Sequence, residues 1–110
     1  MSSSVFNSPA VLLKIYVEEN SCKEGQKTAE WVVCRACERG LAGASVFRGI
    51  GGFYGSAPLV APEFFDFRLA HPLLIEIVDQ PEKIEDFAVF LKKEVNDLLM
   101  IRMPVDVCIS

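Results

Sequence analysis

From Ile84 the residues Ile84, Phe87, Ala88, Leu91, Val95 and Leu98 stack on one side of a helix, the strongest periodic signal in the chain. Just before them, Asp79-Gln80-Pro81-Glu82 supplies an acidic cap, an early proline and a glutamate three places on, which together mark a helix start. A helix with one apolar stripe must bury that stripe against another layer, and the flanking sequence offers strands for it. Leu73 to Val78 alternates, with Leu73, Ile75 and Ile77 on one face and Leu74, Glu76 and Val78 on the other. Met100 to Ile109 alternates as a last strand, with Ile101, Met103, Val105 and Val107 against Arg102, Asp106 and Cys108. Pro104 lacks a ladder donor, so this strand belongs at an edge or is bulged there.

The first half repeats the plan. Val11 to Glu18 reads as a strand with Leu13, Ile15 and Val17 on one face. Lys27 to Arg39 reads as a helix whose core stripe is Ala29, Val32, Val33, Ala36, Cys37 and Gly40, with Gly40 ending it. Ala44 to Phe53 is a second strand, and Phe64 to Leu69 also looks extended. Tyr54 to Glu63 carries Gly55, Pro58 and Pro62 and reads as loop. The order strand, helix, strand, strand, helix, strand is the βαββαβ plan. It predicts an α+β, ferredoxin-like fold, an antiparallel sheet with both helices on one face.

The 110 residues allow one domain, placed at 11–110, after a loose tail over 1–10. Apolar residues make up 51% of the chain, rich for so small a body, and some of that surface is expected in a subunit interface. The sheet face away from the helices is expected to carry Leu12, Lys14, Tyr16, Glu76, Arg102 and Asp106, and so to need a partner. A net charge of −4 argues against nucleic acid as a partner. No apolar run approaches the ~18 residues of a membrane span. The start has no basic or apolar leader segment, so the four cysteines are expected as reduced thiols in a cytoplasmic protein.

Cys34-Arg35-Ala36-Cys37 has redox spacing but falls in the second and third helical turns, which favours buried structural thiols. A zinc site would have to recruit Cys22 and Cys108. His71, the single histidine, reads as a solvated turn residue beside Pro72. Trp31 falls outside the core stripe, where it either lies over neighbouring surface or meets another protein. A phosphate cradle after the first strand, as in acylphosphatase, is excluded by Glu18-Glu19-Asn20-Ser21-Cys22-Lys23-Glu24, which would repel phosphate. Stacking of RNA on the sheet is disfavoured by the sign of the charge.

The remaining constellation is Arg48 with Gly49, Gly51, Gly52 and Phe53, a strand breaking up into glycines. One reading is a structural arginine paired with Glu76 or Asp106. The other is an anion or nucleotide pocket, where backbone N–H groups and an arginine converge with help from Arg68 and Arg102.

The block from Gly40 to Phe53, with Leu12-Leu13-Lys14-Ile15-Tyr16 and Leu74-Ile75-Glu76-Ile77-Val78-Asp79 followed by Glu82-Lys83-Ile84, resembles the PII-like superfamily, in particular its small nitrogen-regulatory-PII-like proteins. The resemblance spans Val11 to Val107. It implies a homotrimer with sheets inside and helices outside, and a signalling rather than catalytic role. It further implies a small anionic effector or nucleotide in intersubunit clefts, and a protein target engaged by a flexible loop near Gly52 to Phe65. The resemblance places the loop base at Arg48 to Phe53 and the basic residue of the last strand at Arg102. With Arg68 from the residue reading, the expected effector contacts are Arg48, Gly49, Gly52, Phe53, Arg68 and Arg102, with no resident cofactor, no metal and, for want of a nucleophile–base or carboxylate pair, no catalytic residue. Two departures matter: Asp79-Gln80-Pro81-Glu82-Lys83 stands where a basic, glycine-rich triphosphate loop is expected, and the loop has no tyrosine at its tip for nucleotidylylation. The alternative is a metal-tolerance trimer of the copper type, using cysteine thiols.

Overall fold

A computed structural model describes residues 9–50 and 71–109. In chain order the elements are β1 (Ala10–Glu18), β2 (Cys22–Lys23), β3 (Gln26–Lys27), α1 (Thr28–Glu38), β4 (Ala44–Arg48), β5 (Pro72–Asp79), α2 (Pro81–Glu94) and β6 (Leu99–Val105). The main sheet runs β4-β5-β1-β6 with every neighbouring pair antiparallel. Setting aside the small β2–β3 hairpin, this is the ferredoxin-like α+β arrangement expected from the pattern.

The core forms where β1 and β5 turn one face to both helices. Leu13, Ile15, Ile75, Ile77, Ile84 and Leu91 are fully buried, joined by Val17, Val32, Ala36 and Phe87. The helix of the second half ends at Glu94, yet Val95 and Leu98 still pack against this core as expected. α1 stops where Gly40 takes φ +77°, a region open to glycine without penalty. Gly40 N–H then donates to the Cys37 carbonyl (3.1 Å) and Leu41 N–H to the Ala36 carbonyl (3.1 Å), the Schellman pair. The chain after it is tied to α2 through the buried Asp79. Its carboxylate accepts from the backbone N–H of Ala42 (3.0 Å) and of Gln80 (2.7 Å), with Lys83 Nζ 3.8 Å away. Asp79 therefore does not cap α2 itself; Gln80 holds the cap position and Pro81 the first turn.

Register corrects the expected phase of the last strand. Directly opposed residues in an antiparallel pair share a face. Arg102 is opposite the buried Leu13, and Met100 opposite Ile15, so both lie on the helix side. There Arg102 pairs with Glu85 of α2, and Met100 packs on the core. Leu99, Ile101 and Met103 instead oppose Tyr16, Lys14 and Leu12 on the open face, each at least 40% exposed. Phe47, opposite Leu74, joins them. The alternation is real, but its apolar phase serves the outer face. Pro104 lies opposite Val11 in β6, which pairs with β1 alone at the edge of the sheet, where a missing N–H costs least.

Three side chains also depart from expectation. Trp31 is buried at 2% exposure, not on an outer face. It stacks on Phe90 with centroids 5.8 Å apart, and its Nε1–H donates to Glu24 (3.3 Å). Lys23 and Arg35 lie over its ring. The cover comes from the β2–β3 hairpin and α2, which a single-helix stripe does not register. Cys37 is exposed rather than buried, because α1 ends one residue later, while Cys34 is half-buried. β4 ends at Arg48 and β6 at Val105, both shorter than expected, and the extended segment expected at 64–69 lies outside the described residues. Replacing Trp31 by alanine removes the plug between hairpin, α1 and α2, and should destabilise the fold by about 3–5 kcal/mol in denaturant unfolding. A loss below about 1 kcal/mol, the scale of ordinary surface changes, would show that the indole is not a core element.

Candidate functional site

β4 ends and β5 begins side by side, with Arg48 opposite Leu73. Residues 49–71 therefore leave and return through one narrow neck. Gly49 N–H donates to the Pro72 carbonyl at 2.8 Å. A Cβ at position 49 would stand 3.0 Å from Pro72 Cγ and 3.3 Å from its oxygen, so any larger residue needs Pro72 to give way by a few tenths of an ångström.

The neck is closed by three residues from three strand ends. Arg48 Nε donates to Glu19 Oε2 at 3.0 Å, and Nη2 to Oε1 at 3.4 Å. The same Nη2 lies 3.0 Å from His71 Nδ1, which therefore accepts from it. The backbone N–H of His71 donates to Glu19 Oε1 at 2.9 Å, and Glu19 N–H returns a bond to the His71 carbonyl at 3.2 Å. His71 is thus buried at 2% exposure, not solvated as its neighbourhood suggests. Arg48 is paired with Glu19, not with Glu76 or Asp106; Glu76 faces Lys14 on the open side of the sheet at 3.9 Å. The His71 N–H and then the Arg48 guanidinium hold the Glu19 carboxyl below the usual glutamate range, because both bonds favour the charged form.

Beside the neck, on the helix side, runs an open groove of about 420 Å³. It is lined by Ala29, Val33, Cys34, Val46 and Leu73, with Glu19, Lys27 and Glu30 at its margin. Its lining is mostly apolar with a few charged groups, the usual make-up of a small-molecule site.

Of the expected effector contacts, the structure brings Arg48 and Gly49 together. Arg102 is on β6, the opposite edge of the sheet, three strand spacings or about 14 Å away at the least. Within one chain it cannot join Arg48. Gly52, Phe53 and Arg68 lie outside the described residues. Sequence reasoning misses Glu19 and His71, since one looks like part of an acidic loop and the other like part of a turn. The signal that finds them is pairing, since Glu18 opposite Pro72 and Arg48 opposite Leu73 bring the three strand ends together. Among the described residues, no three His, Cys, Asp or Glu side chains gather as a metal-ligand set. Among the same residues, no helix is long and apolar enough to cross a membrane.

This ferredoxin-like sheet is the fold of solved PII-like proteins. A crystal structure of a PII-like signalling protein from Thermus thermophilus superposes with a TM-score of 0.55 at 14% identity, covering 89% of this chain and 90% of that one. The structure of CPII bound to ADP and bicarbonate, from Thiomonas intermedia K12, gives 0.51 at 16% identity, covering 90% of each chain. In sequence, residues 10–107 match the DUF190 family model, described as "Uncharacterized ACR, COG1993", and the chain belongs to that family. A UPF0166 protein of Aquifex aeolicus (strain VF5) is 36% identical over 90 residues, 82% of this chain and 86% of the relative. A UPF0166 protein of Methanocaldococcus jannaschii is 33% identical over 75 residues, 68% of each. The expected PII-like fold stands.

The depressed Glu19 gives the neck a direction in pH. Its stabilising contribution is complete above the ordinary glutamate range and is lost as pH falls through the lowered value. Thermal melts across the acid range should therefore show a steeper loss of stability in the wild type than in Glu19→Gln. Parallel curves would rule out a native-state bias on this carboxylate.

Proposed function

We propose that the protein is a trimeric PII-like regulatory protein rather than an enzyme. It binds a small anionic effector, a nucleotide among the candidates, near Arg48 in clefts between subunits, and acts on a protein partner through the segment between β4 and β5. The observation that carries this reading is the position of Arg48. Its guanidinium bridges the two sides of the neck, so an anion that engages it acts directly on the base of that segment. The ADP and bicarbonate bound by the Thiomonas protein give the class of effector to try first.

Two further features support the subunit arrangement. The open sheet face carries Phe47, Leu99, Ile101 and Met103 exposed around the loose Lys14–Glu76 pair, an apolar patch with charges at its centre. Monomers seldom leave such a face uncovered. Arg48 and Arg102 occupy opposite edges, β4 and β6, so a head-to-tail ring of copies is the arrangement that can bring the two cations into one cleft. No gathered ligand set among the described residues favours the thiol-metal alternative.

Calorimetric titration with ADP and with bicarbonate tests the effector reading. Arg48→Ala should weaken binding by roughly 1–3 kcal/mol, the cost of a lost charge-assisted contact. An unchanged titration would remove Arg48 from the site. For the assembly, Ile101→Glu places a charge in the covered face and should convert a trimer into monomers in sedimentation velocity. A wild type that sediments as a monomer at all concentrations would refute the ring.

A further inference from the structure

We propose that the neck carries a carboxylate-type anion site whose resting occupant is the chain's own Glu19, so that a small planar anion binds there by displacing it. This rests on the reading above, that an anion reaches Arg48, and adds how the site is kept closed and what shape it accepts.

Three donors converge on one carboxylate: Arg48 Nε on Oε2 at 3.0 Å, Arg48 Nη2 on Oε1 at 3.4 Å, and the His71 backbone N–H on Oε1 at 2.9 Å. Two donors from one guanidinium edge meeting two oxygens of one group is the fork geometry that reads a planar O–C–O edge. The cradle does not need Glu19 to keep its form. The His71 N–H belongs to a residue only 2% exposed, and Arg48 Nη2 is held a second time, at 3.0 Å, by His71 Nδ1. Glu19, in contrast, sits one residue beyond the end of β1 with 30% of its side chain exposed. A change of rotamer takes its carboxylate into water while the donors stay where they are. The groove of Ala29, Val33, Val46 and Leu73 adjoins Glu19, leaving apolar space for the body of an incoming acid.

The ligand class is therefore a small anion with a planar O–C–O edge, a carboxylate or bicarbonate. An internal occupant lowers apparent affinity by the fraction of time it fills the site. An exposed pair of this kind is weak enough for a ligand to displace, and its removal should tighten binding roughly three- to tenfold.

The test is an NMR titration of the full chain with sodium acetate and, separately, sodium bicarbonate, each against sodium chloride at equal ionic strength. The Arg48 Nε–H and His71 amide resonances are followed in the wild type, Glu19→Ala, Glu19→Gln and Arg48→Ala. The expected result is tighter binding of at least one anion in both Glu19 variants and none in Arg48→Ala, the preferred anion identifying the source. Glu19→Gln nearly preserves shape, so it decides the matter if Glu19→Ala does not fold. Binding that is lost in Arg48→Ala but is unchanged or weaker without the Glu19 carboxylate overturns the displacement and leaves the effector reading standing. Binding indifferent to Arg48, or absent from all four proteins, overturns the carboxylate-type site, and the effector reading is then decided by the ADP titration alone.

Discussion

Both helices lie on the same side of one sheet, and most other features answer to that one-sidedness. On the covered side β1 and β5 bury Leu13, Ile15, Ile75 and Ile77 almost completely. On the other side the same strands present Leu12, Tyr16, Leu74 and Val78 half-buried, with no layer above them among the described residues. A two-layer domain of this kind leaves one sheet face to be covered, the cover that the ring proposed above would supply. The edge strands show the same pressure. β6 turns its apolar set outward and sends Arg102 back toward Glu85 of α2, the side of the sheet that the helices already cover.

The neck stands at one corner of this sheet and depends on it. Arg48, Glu19 and His71 belong to different stretches of sequence, and only the antiparallel pairing of β4, β5 and β1 brings them within hydrogen-bonding distance. No catalytic group is needed for such a device to act. Exchanging one partner of Arg48 for another changes what holds the ends of the 49–71 segment together, a change in charge pairing at a two-sided contact.

The element order, the ferredoxin-like plan and the core stripe of α2 are legible in the sequence because periodicity reports burial on one face. What periodicity cannot report is which side of the sheet an apolar alternation faces; in β6 either phase satisfies the pattern, and Arg102 is misplaced for that reason. Trp31 escapes a helix-stripe reading because its cover comes from residues 22–27 and from Phe90, neither of which belongs to its own helix. Arg48 is found from the glycines that follow it. Its partners are not, since Glu19 and His71 lie 29 and 23 positions away and look like ordinary loop polars until the strands are paired.

Asp79 and the neck sit at opposite ends of β5. At one end its carboxylate is locked to the backbone at Ala42 and Gln80; at the other, Pro72 takes the Gly49 hydrogen bond. Between them Ile75 and Ile77 are fixed in phase, since slipping by one residue would turn both outward. β5 thus behaves as a rod clamped at its far end. It cannot slide without turning that buried pair outward. Under the reading proposed above, an effector at the neck would act on that corner of the sheet without sliding β5 past its neighbours.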